Sequence, residues 1–461
     1  MITTMVRRVL PVAVVAILLG GLVRAQSRPP VAADGYFHLR MGHELLGGWS
    51  IANPGHLSPY GTADWLPTQW LAQMAMAAVE DRAGLAGVMW LAGFLVLVLA
   101  LAVFLSCRIT TAPLPAAFAT ILACSAASPG FSARPQVLSY LFVIVVTAGW
   151  LATVRDGQPR WWLVLVGWVW VPLHGMWPLS IMIAAAVIAG LALERRHSLR
   201  QLGVLALIPL LSAAVALATP LGGGVYSALF AVGSRAEYFA EWGPTDFTEP
   251  YAIALLAMFA VVLVVAVKRR TLCWPDLLLV GLAGALAVTS TRMTTVAALM
   301  LAPLVAAAFQ EFVPRAPRLE LRESLALGAI LVLCAAVLVP VVQSRADDTV
   351  APAWLDERLD ALPEGTRVLN DWNTGAYFLW RHPQLALVMH GYGDVFTGAE
   401  LDRNVSILRV RPGWDDEVAE LEADVALVDP NTALGYAMTN DLGWTEIEAD
   451  ENFALLSPPT S

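Results

Sequence analysis

The sequence predicts an α-helical polytopic membrane protein of about eleven transmembrane helices, followed by a small C-terminal α/β soluble domain. Three observations predict it. Of the 461 residues, 58% are hydrophobic and only 14% are charged, against roughly 45 to 50% apolar and about 25% charged in a soluble domain. Eleven apolar runs approach the ~20 residues that a bilayer crossing needs. Residues 343–461 hold 22 of the 37 acidic residues but seven of the 28 basic ones. The chain therefore divides into a membrane part, 1–342, and an acidic, water-soluble part, 343–461.

The apolar runs lie near 9–23, 84–106, 112–127, 135–153, 161–173, 176–193, 201–218, 250–267, 275–290, 294–313 and 323–342. Residues 161–193 are too long for one crossing, and basic residues flank both ends (Arg155 and Arg160, then Arg195, Arg196 and Arg200). Both ends thus belong on the basic, cytoplasmic side, and a turn is expected at His174-Gly175. Fourteen basic residues fall in the connections assigned to the cytoplasm and seven in the longer opposite ones. The positive-inside bias then puts the N-terminus in the cytoplasm and the C-terminal domain outside the cytoplasmic membrane. Residues 1–25 also fit a cleaved signal peptide loosely, with Arg7-Arg8, an apolar stretch and Val23-Arg24-Ala25.

Composition excludes several classes of function. Acidity argues against a nucleic-acid partner. The apolar runs hold almost no ionisable residue, with His174 and Asp276 at their ends, which weakens an ion-coupled transporter. The four cysteines lie in or beside apolar runs, so no disulfide framework is expected. The polar chemistry is concentrated in the large outward loops, 24–83 and 219–249.

Residues 34–46 read as a short amphipathic helix at the membrane interface, stopped by Gly47-Gly48. Asp34 at its start is either an N-cap or a carboxylate just outside the first membrane helix, with His38 one turn away. There it can act as a general base or hold a divalent metal. Arg134, Arg235 and Arg292 lie in outward connections, against the topological preference, as phosphate-binding guanidiniums do or as residues snorkelling to ordinary lipid headgroups do. His174 is a structural hydrogen-bonder or a phosphate contact. Glu237 and Glu241, four apart, share a face if helical and are candidates for a second carboxylate, or form a solvated face.

The C-terminal part reads as strands at 368–370, 385–389, 424–429 and within 444–456, alternating with helices near 374–381, 398–409, 414–422 and 431–442. It has no Gly-rich phosphate loop. Nucleotide-activated donors are not expected on an outer face, so a donor there would come pre-activated on a lipid.

Asp34-Gly-Tyr-Phe-His-Leu-Arg40 resembles the first-loop motif of the oligosaccharyltransferase catalytic subunit, and of GT-C type membrane glycosyltransferases more broadly. Trp65-Leu-Pro-Thr-Gln-Trp70, Arg134-Pro-Gln136, Leu173-His-Gly175 and Asn370-Asp-Trp-Asn-Thr-Gly375 follow in order, as in one branch of bacterial GT-C-like proteins. The resemblance implies a GT-C-like fold and transfer of a sugar from a polyprenyl-phosphate lipid to an exported glycan or protein acceptor in the cell envelope. It implies Asp34 as the catalytic residue. Arg134, His174, Arg292 and Arg235 would bind the donor phosphate, and His38, Glu237, Glu241 or Asp371 would provide a second acid or acceptor contact. Gly35 stands where a second acid would be, and no Asp-x-Asp occurs in the later loops, leaving metal dependence open. The alternative is a non-catalytic membrane scaffold of the same fold that binds a lipid or a partner.

Overall fold

The computed structural model describes residues 2–25, 33–233, 238–269, 273–314, 320–346 and 350–459. The protein is mostly helical with a small C-terminal sheet. The helices, in chain order, are α1 (Ile2–Ala25), α2 (Ala33–Leu46), α3 (Trp70–Arg108), α4 (Pro113–Ala127), α5 (Gln136–Asp156) and α6 (Trp162–Trp170). They continue with α7 (Leu179–Glu194), α8 (Leu199–Ala216), α9 (Gly224–Gly233), α10 (Pro250–Arg269), α11 (Trp274–Thr289), α12 (Met293–Gln310) and α13 (Leu321–Ala346).

Each of the eleven apolar runs overlaps one of these helices. Among the described residues, however, only α3, α5, α8, α10, α12 and α13 are long and apolar enough to cross a membrane. Within 161–193 the chain breaks between α6 and α7, and the connecting turn contains His174 and Gly175. Helix α6 is only nine residues, or about 14 Å at 1.5 Å per residue.

By internal contacts the chain forms two units. The first comprises residues 1–30, 83–225 and 239–346, and the second 31–82, 226–238 and 347–461. The charge step near residue 343 lies close to the start of the second unit's last segment at 347, and that unit also takes in residues 31–82. Helix α3 runs from one unit to the other with a break at Gly84, whose φ of 62° and ψ of −170° are non-helical. Only glycine adopts that combination without strain.

The first unit is built around α12, whose side chains are buried along nearly its whole length. Small residues allow this: Ala297, Ala298, Ala302 and Ala306 let neighbouring backbones approach. Gln310 Oε1 accepts the Ala112 N–H at 2.5 Å at one end of α12, and Thr295 donates to the Ala127 carbonyl at 3.2 Å at the other. Helices α4 and α12 are thus antiparallel. At the Gln310 end, Arg108 makes a two-point ion pair with Glu323 at 2.9 and 3.0 Å.

The second unit carries the sheet. Its remaining elements are α14 (Ala353–Asp360), β1 (Arg367–Asn370), α15 (Gly375–Arg381), β2 (Ala386–Leu387), α16 (Gly398–Leu408), α17 (Trp414–Glu420), β3 (Val425–Val428), α18 (Ala433–Asn440), β4 (Thr445–Ala449) and β5 (Ala454–Ser457). The strand order is β2-β1-β3-β5-β4. Strand β1 runs parallel to β2 and β3, and β5 antiparallel to β3 and β4. The stretch 444–456 resolves into a hairpin turned by Asp450, whose Oδ1 accepts the N–H groups of Asn452 (2.8 Å) and Phe453 (2.9 Å). Residues of the segment 31–82 fasten to this domain: Tyr60 donates to the Leu421 carbonyl at 2.7 Å and Thr62 to Glu400 at 2.6 Å.

Candidate functional site

Helix α2 owes its position to its aromatic and small residues. Tyr36 packs on Tyr377 (5.2 Å, edge to face) and Trp380 (5.1 Å) of α15. On another side a Cβ at Gly42 would lie 2.2 Å from the Gln73 carbonyl oxygen, so α2 and α3 meet backbone to backbone. Asp34 sits half-buried in the first turn of α2, where the helix dipole favours a negative charge. Its Oδ1 rests against the loop after β2, 3.3 Å from where a Cβ on Gly391 would stand. The interfacial helix expected from its amphipathic pattern is thus a packed element of the second unit.

That loop, His390 to Asp394, brings several polar groups around α2. Tyr392 stacks on Phe37 at 3.8 Å, with the rings within 9° of parallel, and receives the Gln69 amide on its hydroxyl at 3.3 Å. Burial pushes the Tyr392 phenol well above its ordinary pKa, and the carboxylates of Asp394 and Asp34 add to the rise. His390 is fully buried between Phe37 (5.5 Å) and Phe396 (4.8 Å), and neither ring nitrogen has a hydrogen-bond partner among the described residues. Burial lowers its pKa to about 3, so it is neutral. Asn370 fixes the loop from below. Its amide donates to the Met389 carbonyl at 2.7 Å and accepts the Met389 N–H at 3.0 Å, extending the β1–β2 pairing by a side chain. Asp34 therefore stands by the carboxyl end of a parallel strand pair, the edge at which open α/β sheets bind ligands.

In the first unit, four separate connections converge. Glu241 Oε2 pairs with Arg134 at 3.0 Å and Oε1 with Arg292 at 3.0 Å. The Arg292 guanidinium also lies 5.1 Å from the centroid of the Trp242 ring, a cation–π contact. His174 Nδ1 faces the Ser139 hydroxyl at 2.9 Å and the Met176 N–H at 3.3 Å. The Ser139 oxygen already accepts from the Trp170 indole at 2.7 Å, so its own proton is directed to Nδ1. Nδ1 is therefore an acceptor, and the His174 proton resides on Nε2. Nε2 is 3.5 Å from Arg292 Nη2. Two donors at that spacing suit a shared anionic oxygen.

The sequence-expected residues are thus distributed between two clusters. Arg134, His174, Arg292 and Glu241 come together in the first unit. Asp34, His38 and Asp371 belong to the second, while Arg235 and Glu237 lie outside the described residues. His38 is buried, with Nδ1 3.1 Å from the Gln73 amide, which makes it a packing residue of α2. Asp371 Oδ1 accepts the Asn373 N–H at 2.5 Å and shapes the turn after β1. Glu241, a candidate for a second carboxylate or part of a solvated face, pairs with two arginines. Sequence reasoning missed Gln69, His390, Tyr392 and Asp394. The signal that could have found the last three is the glycine-punctuated run His390-Gly-Tyr-Gly-Asp394 directly after an expected strand. Among the described residues, no group of three or more His, Cys, Asp or Glu side chains is placed to hold a metal.

These features define a polytopic helical membrane protein in which residues 31–82 fold with a C-terminal α/β domain. By sequence, the chain matches no family model and no curated protein. By structure, it is similar to the Archaeoglobus fulgidus oligosaccharyltransferase in its apo form, with a TM-score of 0.56 and 12% identity over 92% of this chain and 70% of that one. The same enzyme, AglB, in complex with an inhibitory peptide and a dolichol-phosphate aligns with a TM-score of 0.54 and 13% identity over 92% and 70%. Its complex with Zn and sulfate aligns at 0.52 and 12% over 92% and 69%. The chain has the oligosaccharyltransferase, GT-C type, fold.

Proposed function

We propose that the protein is a membrane glycosyltransferase that moves a sugar from a polyprenyl-phosphate carrier to an exported acceptor on the outer face of the cytoplasmic membrane. The observation that carries this reading is the convergence of Arg134, Arg292 and the Nε2–H of His174 from distant connections onto one small seat, the chemistry a lipid phosphate needs. The fold neighbours support it, since AglB was solved with a dolichol-phosphate and a peptide.

In this reading Asp34 takes the proton of the acceptor as the acceptor atom attacks the anomeric carbon. The bond from that carbon to the phosphate oxygen breaks, its electron pair stays with the phosphate, and the guanidiniums stabilise the departing charge. A residue in this role contributes about 10² to 10⁴ in rate. The test is transfer from a polyprenyl-phosphate sugar by purified protein. Asp34→Asn should lose about 10²-fold or more of kcat while still binding the donor, and Arg292→Ala should lose donor binding. Full activity in Asp34→Asn would remove it as the base. The reading of the protein as a non-catalytic scaffold is favoured by one observation, the engagement of Glu241 by arginines, and predicts donor binding without transfer.

A further inference from the structure

The seat in the first unit contains its own anion. Glu241 spends one carboxylate oxygen on each arginine, both at 3.0 Å, and its position is fixed by backbone as well. The Arg292 N–H donates to the Glu241 carbonyl at 3.1 Å and the Ser290 hydroxyl to the same oxygen at 3.0 Å. The carboxylate is not sealed in. Its side chain is 37% exposed, against 19% and 16% for Arg134 and Arg292, so the seat opens on the Glu241 side. His174 adds a hydrogen-bond donor without a charge, because its Nδ1 is an acceptor and its proton is on Nε2. The seat thus brings together two guanidiniums, one carboxylate and an imidazole, and Glu241 offsets part of the positive charge of the two arginines.

We propose that Glu241 is a specificity-determining residue of this seat: by lowering the positive charge that Arg134 and Arg292 present, it selects a lipid phosphodiester, which carries one negative charge, over a lipid diphosphate. The proposal rests on the donor-phosphate reading above and narrows it to sugars linked through a single phosphate. Discrimination arises because a resident carboxylate penalises each further negative charge on the ligand, while the first remains compensated by the two guanidiniums. With Glu241 absent, the seat would have the charge and the two-armed geometry that a diphosphate needs.

The experiment uses the full chain in detergent, titrated with methyl farnesyl phosphate as the singly charged diester and with farnesyl diphosphate. Wild type should bind the diester more tightly. Glu241→Gln, which keeps the shape and removes the charge, should raise affinity for the diphosphate about tenfold or more and for the diester much less, so that the preference narrows or reverses. Glu241→Asp should keep the wild-type preference. Glu323→Gln, which alters the similar ion pair with Arg108, should change neither affinity. An unchanged preference in Glu241→Gln, or a wild type that prefers diphosphate, would overturn the proposal and leave the donor reading in place. Failure of folded wild type to bind either probe would overturn the donor reading and the proposal with it. Displacement of the diester by phosphatidylglycerol as readily as by a prenyl diester would support the charge rule and reassign its ligand to ordinary lipid headgroups.

Discussion

The two polar clusters handle burial in opposite ways. Around α2 and the loop after β2, the buried polar groups are kept neutral: His390 carries no charge with a pKa of about 3, and the Tyr392 phenol is pushed up by burial and by nearby carboxylates. In the first unit the groups stay ionised and are compensated in pairs, with Arg134 and Arg292 sharing Glu241. The neutral cluster is positioned by ring stacking and a side-chain extension of the sheet, which is specific but leaves the buried His390 nitrogens to bear a desolvation cost. The ionic cluster is positioned by charge, which a competing anion can replace.

The largest expected effect tests how rigid each unit is. Gly375 has no room for a side chain, since a Cβ there would lie 2.0 Å from the Met389 carbonyl oxygen and 2.7 Å from the Asn370 amide. Gly375→Ala should therefore cost about 3 kcal/mol or more and melt the sheet domain, read as early unfolding and as protease cleavage within 350–459. Gly190 on α7 is similarly crowded, with a Cβ 2.4 Å from the Pro275 backbone of α11. Two helices can move apart as rods, so Gly190→Ala should cost less, about 1 to 2 kcal/mol. The reverse order of melting temperatures would sink the distinction.

The next effect separates neutral from ionic burial through pH. His390 has its pKa lowered from the ordinary 6.5 to about 3 by burial. Between those values the unfolded chain binds a proton that the folded chain refuses, so stability is lost as pH falls below 6.5. The slope for one such group is about 1.4 kcal/mol per pH unit. His390→Leu should remove that part of the slope between pH 6.5 and 5 while leaving lipid-phosphate binding unchanged. An identical pH profile in wild type and His390→Leu would mean that the imidazole is protonated in the folded state.

Much of the fold was legible because it depends on local pattern. The period and stop signals of 34–46 gave α2 within one residue, and the alternation of apolar strands with helices gave β1, β2, β3 and four of the helices around them. What was not legible depends on long-range packing. Helix α14 is only eight residues long and half charged, with too little apolar periodicity to announce itself. The capture of residues 31–82 by the second unit depends on single contacts such as Tyr60 to Leu421 and Trp380 to Glu80 at 2.8 Å. The candidate site divided the same way. Asp34 and the cations stood out by charge in apolar surroundings, whereas Tyr392 and His390 resemble ordinary core residues until the loop is folded. Glu241 was visible as an acid, but its position depends on two arginines, one 107 residues before it and one 51 residues after it in sequence.

The smallest effect concerns Glu400, an exposed-edge carboxylate that joins the two clusters' styles by being ionised yet held mainly by neutral donors. It accepts from the Thr62 hydroxyl at 2.6 Å and the Thr397 N–H at 2.7 Å, closing a capping box at the start of α16. Burial alone would raise its pKa, but the hydrogen bonds from Thr62 and Thr397 outweigh this and lower it. A carboxyl depressed on folding adds stability above its unfolded pKa and loses it as pH falls through the folded one. Glu400→Gln should thus cost about 0.5 kcal/mol at pH 7 after allowance for solvent screening, with the difference from wild type shrinking as pH drops below the carboxylate range. A difference that persists unchanged at low pH would assign the stabilisation to the second acceptor oxygen, which glutamine replaces by an NH2 donor, and not to the charge.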